Sequence, residues 1–357
     1  MSLNKTKILL VTPSFTSGGA ERVISQLANH FSTLPNLDVS LLCLISGDKF
    51  YKLQDNIKVV EPPFNHRQFN RAVFTFKIFR FLRNYLKTNK PDVVLSFGGR
   101  YNSFVLLAAR GLTIRTFVSD RSRPDISYGK FLDLFNSIMY KRSTGIIAQT
   151  AVAKEIAFKR TGHKNIKVIG NPVRQIESAN VPKENIILNA GRFIRSKNQL
   201  LLLDYFSAIQ DGTWKLIFLG EGQYLEQAKL KARELGIEKF TVFAGNVTNI
   251  DDYYAMAKIF AFTSVSEGFP NALGEALSAG LPSISFNCNA GPADLIEDNV
   301  NGFLVDEMGH ETYKKKLKLL MTDELLRNRF EKQSKIHIQK YAADKICAAY
   351  LNFICSG

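Results

Sequence analysis

Nothing in these 357 residues approaches the run of about 18 apolar side chains that crosses a bilayer, and Lys5, Lys7 and the short Ile8-Leu9-Leu10-Val11 stretch do not make a secretion signal. The expectation is a chain that stays in the cytosol. Cysteine is scarce: Cys43, Cys288, Cys347 and Cys355 show no metal-site spacing and read as reduced, buried thiols, which suits that compartment. The five histidines are scattered, so no protein-held metal is expected. A low-complexity tail and any recognised DNA- or RNA-binding motif are missing too, which argues against nucleic acid as a partner. Acidic side chains number 32 against 47 lysines and arginines, and the formal charge of +15 calls for a negatively charged partner or surface. Charge alone does not separate nucleic acid, phospholipid and diphosphate ligands.

Organisation narrows the choice. At this length two domains of similar size are the default, and 45% hydrophobic residues suffice for two cores. Strand-like runs at 7–12, 38–45, 92–97, 113–119 and 145–149, then 186–190, 214–219, 240–245, 259–263 and 282–286, alternate with helical patterns. That alternation predicts an α/β chain of βαβ units with parallel sheets covered on both faces. Asn171-Pro172-Val173 and the polar residues 175–184 read as a linker, which gives a first domain over 1–173 and a second over 174–335. A long helical pattern over 334–354 closes the chain, with 336–357 set apart as a final helix.

The stretch richest in chemistry is Ser266-Glu267-Gly268-Phe269-Pro270-Asn271-Ala272-Leu273-Gly274-Glu275-Ala276-Leu277. Proline favours the first helical turn, so a helix is expected from Pro270 or Asn271. Its free N–H groups and its dipole make a seat for an anion, and Gly268 allows close approach of a ligand. Glu267 and Glu275, eight positions apart in sequence, sit about two turns from each other and cannot grip one atom. They can hold two ends of an elongated ligand with an anion between them, the layout of a nucleotide sugar. The bland alternative is one carboxylate capping its helix and another on a solvated face.

This string resembles the signature of glycosyltransferase family 4, two glutamates inside Ser-x-Glu-Gly-Phe-Pro-Asn-x-x-x-Glu-Ala, with Ala279-Gly280-Leu281-Pro282 following. The resemblance implies that Glu267 binds sugar hydroxyls and Glu275 the ribose, with residues 268–273 lining the donor site. It also implies the GT-B fold: two Rossmann-like domains facing each other across a cleft, the first for the acceptor and the second for the nucleotide sugar, with the last helix crossing back to the first domain.

Other loops at strand ends fit the same picture. Gly191-Arg192-Phe193-Ile194-Arg195-Ser196-Lys197-Asn198 surrounds a glycine turn with cations, which are either solvated or suited to a diphosphate. Its Gly-Arg-x-x-x-x-Lys-Asn spacing matches the family motif, and the resemblance makes Arg192 and Lys197 the diphosphate clamps. Gly220-Glu221-Gly222 and Gly245-Asn246-Val247 are drawn into the same pocket, the latter against the nucleotide base in the family, so Glu221 and Val247 join the donor contacts. After the first strand, Gly18 and Gly19 lack the spacing of a dinucleotide-binding loop. They make either a plain tight turn or, by resemblance, a cover for the donor diphosphate. Residues 289–294 and 301–305 read as structural turns.

Two features depart from the family or go beyond it. Many members carry a histidine where this chain has Asp120-Arg121; Arg121 cannot act as a base, whereas Asp120 could accept a proton or could cap or pair with a cation. Over residues 67–87, Phe74, Ile78, Phe81 and Tyr85 project to one helical face and Lys77, Arg80, Arg83 and Lys87 to the other. That basic face, with Arg67 and Arg71, is either solvated or meets anionic headgroups or an acceptor diphosphate. Family members that extend polyprenyl-diphosphate-linked glycans have a comparable segment here.

The resemblance to family 4 therefore implies a retaining, metal-independent transfer of a hexose or N-acetylhexosamine from a nucleotide sugar, UDP-linked by analogy. The acceptor would be a lipid-linked glycan on the cytoplasmic face of the inner membrane. The competing readings are a nucleotide-sugar epimerase on the same fold and a basic nucleic-acid- or membrane-binding module with a degenerate sugar site.

Overall fold

The computed structural model describes residues 5–16, 18–176 and 181–356; Ser17 of the glycine loop and residues 177–180 of the polar linker lie outside the described residues. The chain divides into two compact units, residues 1–172 with 343–357, and residues 173–342.

In the first unit the order is β1 (Thr6–Thr12), α1 (Gly19–Ser32), β2 (Leu37–Cys43), β3 (Lys58–Val60), α2 (Arg71–Asn89), β4 (Val93–Phe97), α3 (Gly99–Ala109), β5 (Arg115–Ser119), α4 (Lys130–Tyr140), β6 (Gly145–Ala148), α5 (Ala151–Thr161) and β7 (Ile166–Val168). These strands form one parallel sheet in the order β3-β2-β1-β4-β5-β6-β7. Its central strands are apolar on both faces, as a sheet covered by helices on each side requires. In α1, Val23, Ile24, Leu27, Ala28 and Phe31 form the buried stripe that their spacing predicts. β3 and β7 were not among the expected strands, since each is a three-residue edge strand with exposed or half-buried positions and too short for a hydrophobic pattern.

The second unit contains β8 (Ile186–Ala190), α6 (Gln199–Ile209), β9 (Lys215–Leu219), α7 (Leu225–Glu234), β10 (Thr241–Gly245), α8 (Ile250–Met256), β11 (Ile259–Phe262), α9 (Asn271–Ser278), β12 (Ser283–Phe286), α10 (Pro292–Leu295), β13 (Gly302–Val305), α11 (His310–Thr322) and α12 (Glu324–His337). Its parallel sheet runs β10-β9-β8-β11-β12-β13. Two segments expected to be turns are regular structure instead. Residues 302–305 pair with β12 as the sixth strand, and residues 292–295 make a short helix started by its proline.

The expected long closing helix is two helices. α12 ends at His337, a 3-10 turn covers Ile338–Tyr341, and α13 (Ala343–Cys355) follows. The break has a tertiary cause: the Val173 N–H donates to the Tyr341 carbonyl at 2.8 Å, and the Tyr341 ring packs on Phe269 at 5.4 Å, which ties this turn to the second unit. The final helix therefore starts at 343, not 336. It packs within the first unit: Tyr350 stacks on Phe97 at 6.5 Å, Phe353 meets Phe117 at 5.4 Å, and Arg115 donates to the Cys355 carbonyl at 3.3 Å.

Candidate active site

Both sheets begin in the middle, build outward to one side, then jump across to the other. This reversal leaves neighbouring loops pointing apart at the carboxyl end, between β1 and β4 in one unit and between β8 and β11 in the other. Doubly wound sheets bind ligands at such a point.

In the second unit the loop after β8 carries Arg192 and Lys197, and the loop after β11 carries Glu267. Backbone contacts lock the two loops: the Val265 N–H donates to the Ser196 carbonyl at 2.9 Å, and the Thr263 hydroxyl lies 3.1 Å from the carbonyls of Lys197 and Asn198. The side chains then meet across the switch point, Lys197 Nζ to Glu267 Oε1 at 2.6 Å. Their exposures of 20% and 9% mean that each charge depends on the other for what water no longer supplies. Arg192 in the same loop is exposed and makes no ion pair among the described residues. Nearby, burial first and the Glu267 charge next push the Cys288 thiol up to about 12, so it is held neutral and is no nucleophile.

From Glu267 the chain runs through Gly268 and the buried Phe269 and Pro270 into α9. The Leu273 side chain is also buried; Pro270 has no N–H and the Asn271 N–H donates to the Phe269 carbonyl at 3.0 Å, which leaves the N–H groups of Ala272 and Leu273 to face a ligand at the helix start. Glu275 lies further along α9 at 5% exposure, and its carboxylate accepts from the Tyr254 hydroxyl at 3.2 Å. Arg174, paired with Asp251 at 2.6 Å, contributes a positive charge to the same neighbourhood. Neither Tyr254 nor Arg174 carries a motif. One is a core aromatic in a short helix and the other stands at the edge of the linker, so nothing in the sequence marked them.

The remaining loops of this edge are stitched together. The Phe193 N–H donates to the Glu221 carbonyl at 2.8 Å, and the Gly220 N–H to the Gly245 carbonyl at 2.7 Å. At φ +119°, Gly220 lies so close that a Cβ there would strike the Gly191 carbonyl. Glu221 is exposed and Val247 half-buried, both beside this junction in the chain.

In the first unit, Gly18 caps α1 and Gly19 opens it, at the carboxyl side of β1. Asp120, at the end of β5, has turned inward. Its carboxylate accepts from the Ser122 N–H at 3.0 Å and from the Gly99 N–H at the start of α3, with the Tyr128 hydroxyl at 3.4 Å. Burial pushes its pKa up while these donors oppose the rise. A Cβ on Gly99 would run into this carboxylate. Asp120 also borders a pocket lined by Tyr128, Asn136, Tyr140, Ile147 and Ile156. Arg121 donates to the Tyr350 hydroxyl at 2.6 Å and to the Asn171 side chain, tying β5 to the closing helix.

The basic helix is α2, starting at Arg71 rather than 67, and its cations divide in two. Lys77 lies 4.4 Å from the Phe69 ring centre, and Arg83 donates to the Ala108 and Arg110 carbonyls at 2.7 and 3.0 Å, capping the end of α3. Arg67, Arg71, Arg80 and Lys87 are exposed. The deeply buried face is Ile78, Leu82 and Leu86, with Phe74, Phe81 and Tyr85 half-buried at its margin. Among the described residues no three His, Cys, Asp or Glu side chains cluster as metal ligands, and no helix is long and apolar enough to cross a membrane.

Comparison with known proteins agrees with this architecture. The model for Glycosyltransferase Family 4 matches residues 17–175, and that for Glycosyl transferases group 1 matches residues 174–337. An amylovoran biosynthesis glycosyltransferase of Erwinia amylovora is 28% identical, covering 90% of this chain and 92% of its own. An α-1,4-N-acetyl-D-galactosaminyltransferase of Campylobacter jejuni, named for an undecaprenyl-diphosphate-linked glycan, is also 28% identical and covers 98% of both chains. Among solved structures, a lipopolysaccharide outer core galactosyltransferase superposes with a TM-score of 0.81 at 23% identity over 98% of this chain and 99% of its own. An Anabaena protein in complex with UDP gives 0.83 at 15% over 98% and 100%.

Proposed function

The chain belongs to the family 4 glycosyltransferases, with the GT-B fold, and from that premise we propose that it moves a hexose or N-acetylhexosamine from a UDP-sugar to a hydroxyl of a lipid-linked glycan, with retention of anomeric configuration. The observation that carries this reading is the Lys197–Glu267 pair, 2.6 Å apart at the switch point and followed directly by the start of α9. A donor diphosphate would take over Lys197, join Arg192 and rest on the amides of Ala272 and Leu273. Glu267, released from the cation, would then hold sugar hydroxyls, and Glu275 the ribose.

As the bond from the sugar to the diphosphate breaks, its electron pair passes to the leaving phosphate oxygen. Negative charge grows there, and positive charge grows on the sugar ring. Lys197, Arg192 and the helix start are already in place to stabilise the first, without reorganisation at the moment of reaction. The acceptor hydroxyl forms the new bond on the face the diphosphate leaves, and its proton goes to that phosphate. No metal or other cofactor enters the proposal. The acceptor class draws support from the Campylobacter relative's lipid-linked substrate and from the exposed cations Arg67, Arg71, Arg80 and Lys87, which suit a diphosphate or anionic headgroups. A cytoplasmic, membrane-peripheral location follows from the same reading.

The test is a thermal-shift and transfer screen with uridine, guanosine and adenosine diphosphate sugars. A UDP-sugar should raise the melting temperature and be consumed only when an acceptor glycan is present. No shift with any nucleotide sugar would overturn the reading, and conversion of the donor alone would make the protein an epimerase.

A further inference from the structure

α4 exposes more large apolar side chains than the other helices of its unit, three where α2 leaves Val73 and Phe76 and α5 leaves Val152 and Phe158. On α4, Phe131, Leu134 and Ile138 are exposed at 85%, 61% and 45%. Their spacing of three and then four residues places them on one face, while Met139 and Tyr140 are buried and Phe135 packs against the Leu106–Val118 core cluster. Single exposed hydrophobics are ordinary, but three large ones in a row on one helix form a patch. Lys130 stands exposed at the start of the helix, and Lys141 and Arg142 are exposed just past its end. Neighbouring α5 adds exposed Lys154, Lys159 and Arg160 beside Phe158, itself 54% exposed. Residues 130–167 hold eight lysines and arginines against two carboxylates, Asp133 and Glu155. Asp133 is already bound by the Ser127 hydroxyl at 2.5 Å and the Tyr128 N–H at 2.9 Å.

An apolar stripe inside a rim of mostly positive charge does not suit a second copy of the chain, because a symmetric contact would set that rim against itself. It does suit a surface that is negative outside and apolar within. We propose that the outer face of α4 beds into the headgroup boundary of an anionic bilayer, with Phe131, Leu134 and Ile138 inserted and the cations of α4 and α5 on the lipid phosphates. This rests on the reading of the acceptor as lipid-linked and names the surface that would bring the first unit to it. α2 brings exposed cations with Phe76 and Val73 to that encounter, and α4 brings the longer apolar stripe.

Flotation of the full chain with vesicles tests the proposal, using phosphatidylcholine alone and phosphatidylcholine mixed with phosphatidylglycerol. The wild type should float with the mixed vesicles and much less with the neutral ones. Phe131→Ser with Leu134→Ser should lower the partition coefficient on the order of tenfold, and Lys141→Glu with Arg142→Glu should abolish the preference for the anionic lipid. Both variants should keep the wild-type melting temperature and its rise with UDP, which shows that they are folded. Undiminished flotation of the serine variant would overturn the proposal, as would a wild-type dimer in sedimentation that this variant dissociates. A protein that floats as described but ignores every nucleotide would sink the transferase reading and leave this surface standing; one that binds UDP but never floats would do the reverse.

Discussion

The first sheet runs β3-β2-β1-β4-β5-β6-β7 and the second β10-β9-β8-β11-β12-β13, so each unit presents two loops at the carboxyl side of a switch point. In the second unit those loops carry opposite charges drawn together in a largely desolvated pair, Lys197 with Glu267, and a second carboxylate, Glu275, is fixed by the Tyr254 hydroxyl. In the first unit the charged groups at strand ends are turned to structural contacts: Asp120 to the amides of Gly99 and Ser122, and Arg121 to α13. Many of its exposed cations lie on α2, α4 and α5. The same topology therefore supports two uses. Partly buried, mutually held groups are preorganised for a reaction, whereas exposed cations and aromatics can only attract and anchor a surface.

The largest test of this contrast lies in the second unit. Glu267→Gln should reduce transfer at least about a hundredfold, near 3 kcal/mol of transition-state stabilisation, in a variant that still folds but melts lower because Lys197 loses its partner. Equal turnover by variant and wild type, measured at saturating donor, would remove Glu267 from the site.

Asp120→Ala should act on stability instead, costing about 1–3 kcal/mol in chemical denaturation because two backbone donors lose their acceptor. A fall in turnover of about a hundredfold or more, without loss of stability, would make Asp120 a proton acceptor and erase the contrast. The pH dependence has a definite sign. Since burial raises the Asp120 pKa in the folded state, its contribution to stability is fully present below the ordinary aspartate value and is lost as pH rises through the folded value. Asp120→Asn should flatten that part of the stability profile, read from melting temperatures across the acid range.

The smallest effect is expected at Tyr254. Removing only its hydroxyl, Tyr254→Phe should weaken donor binding by about 1 kcal/mol, roughly fivefold in KM, with kcat retained. An unchanged KM for the donor would mean that Glu275 needs no such support or does not touch the donor.

Much of this was legible beforehand. Long central strands announce themselves by continuous apolar runs, and α1 by its periodic stripe. The edge strands β3, β7 and β13 did not, because a strand of three or four residues that draws its backbone partners from a neighbour needs little pattern of its own. The helix read over 334–354 was cut by Val173 and Phe269, residues far away in sequence that hold Tyr341. At the site, the glutamates and cations could be picked out as chemical types at fixed spacings, but Tyr254 and Arg174 had no such mark. The α2 cations looked equivalent on a helical projection, yet Arg83 caps α3 while Arg80 faces solvent.

By itself the sequence determined the class of the fold and the family, since these depend on local periodicity and on short strings that the chain carries in order. Tertiary structure alone decided which charges are paired, which are neutralised by burial and which stay free. Those outcomes depend on distance and desolvation between residues as far apart as Lys197 and Glu267, and no local pattern encodes them.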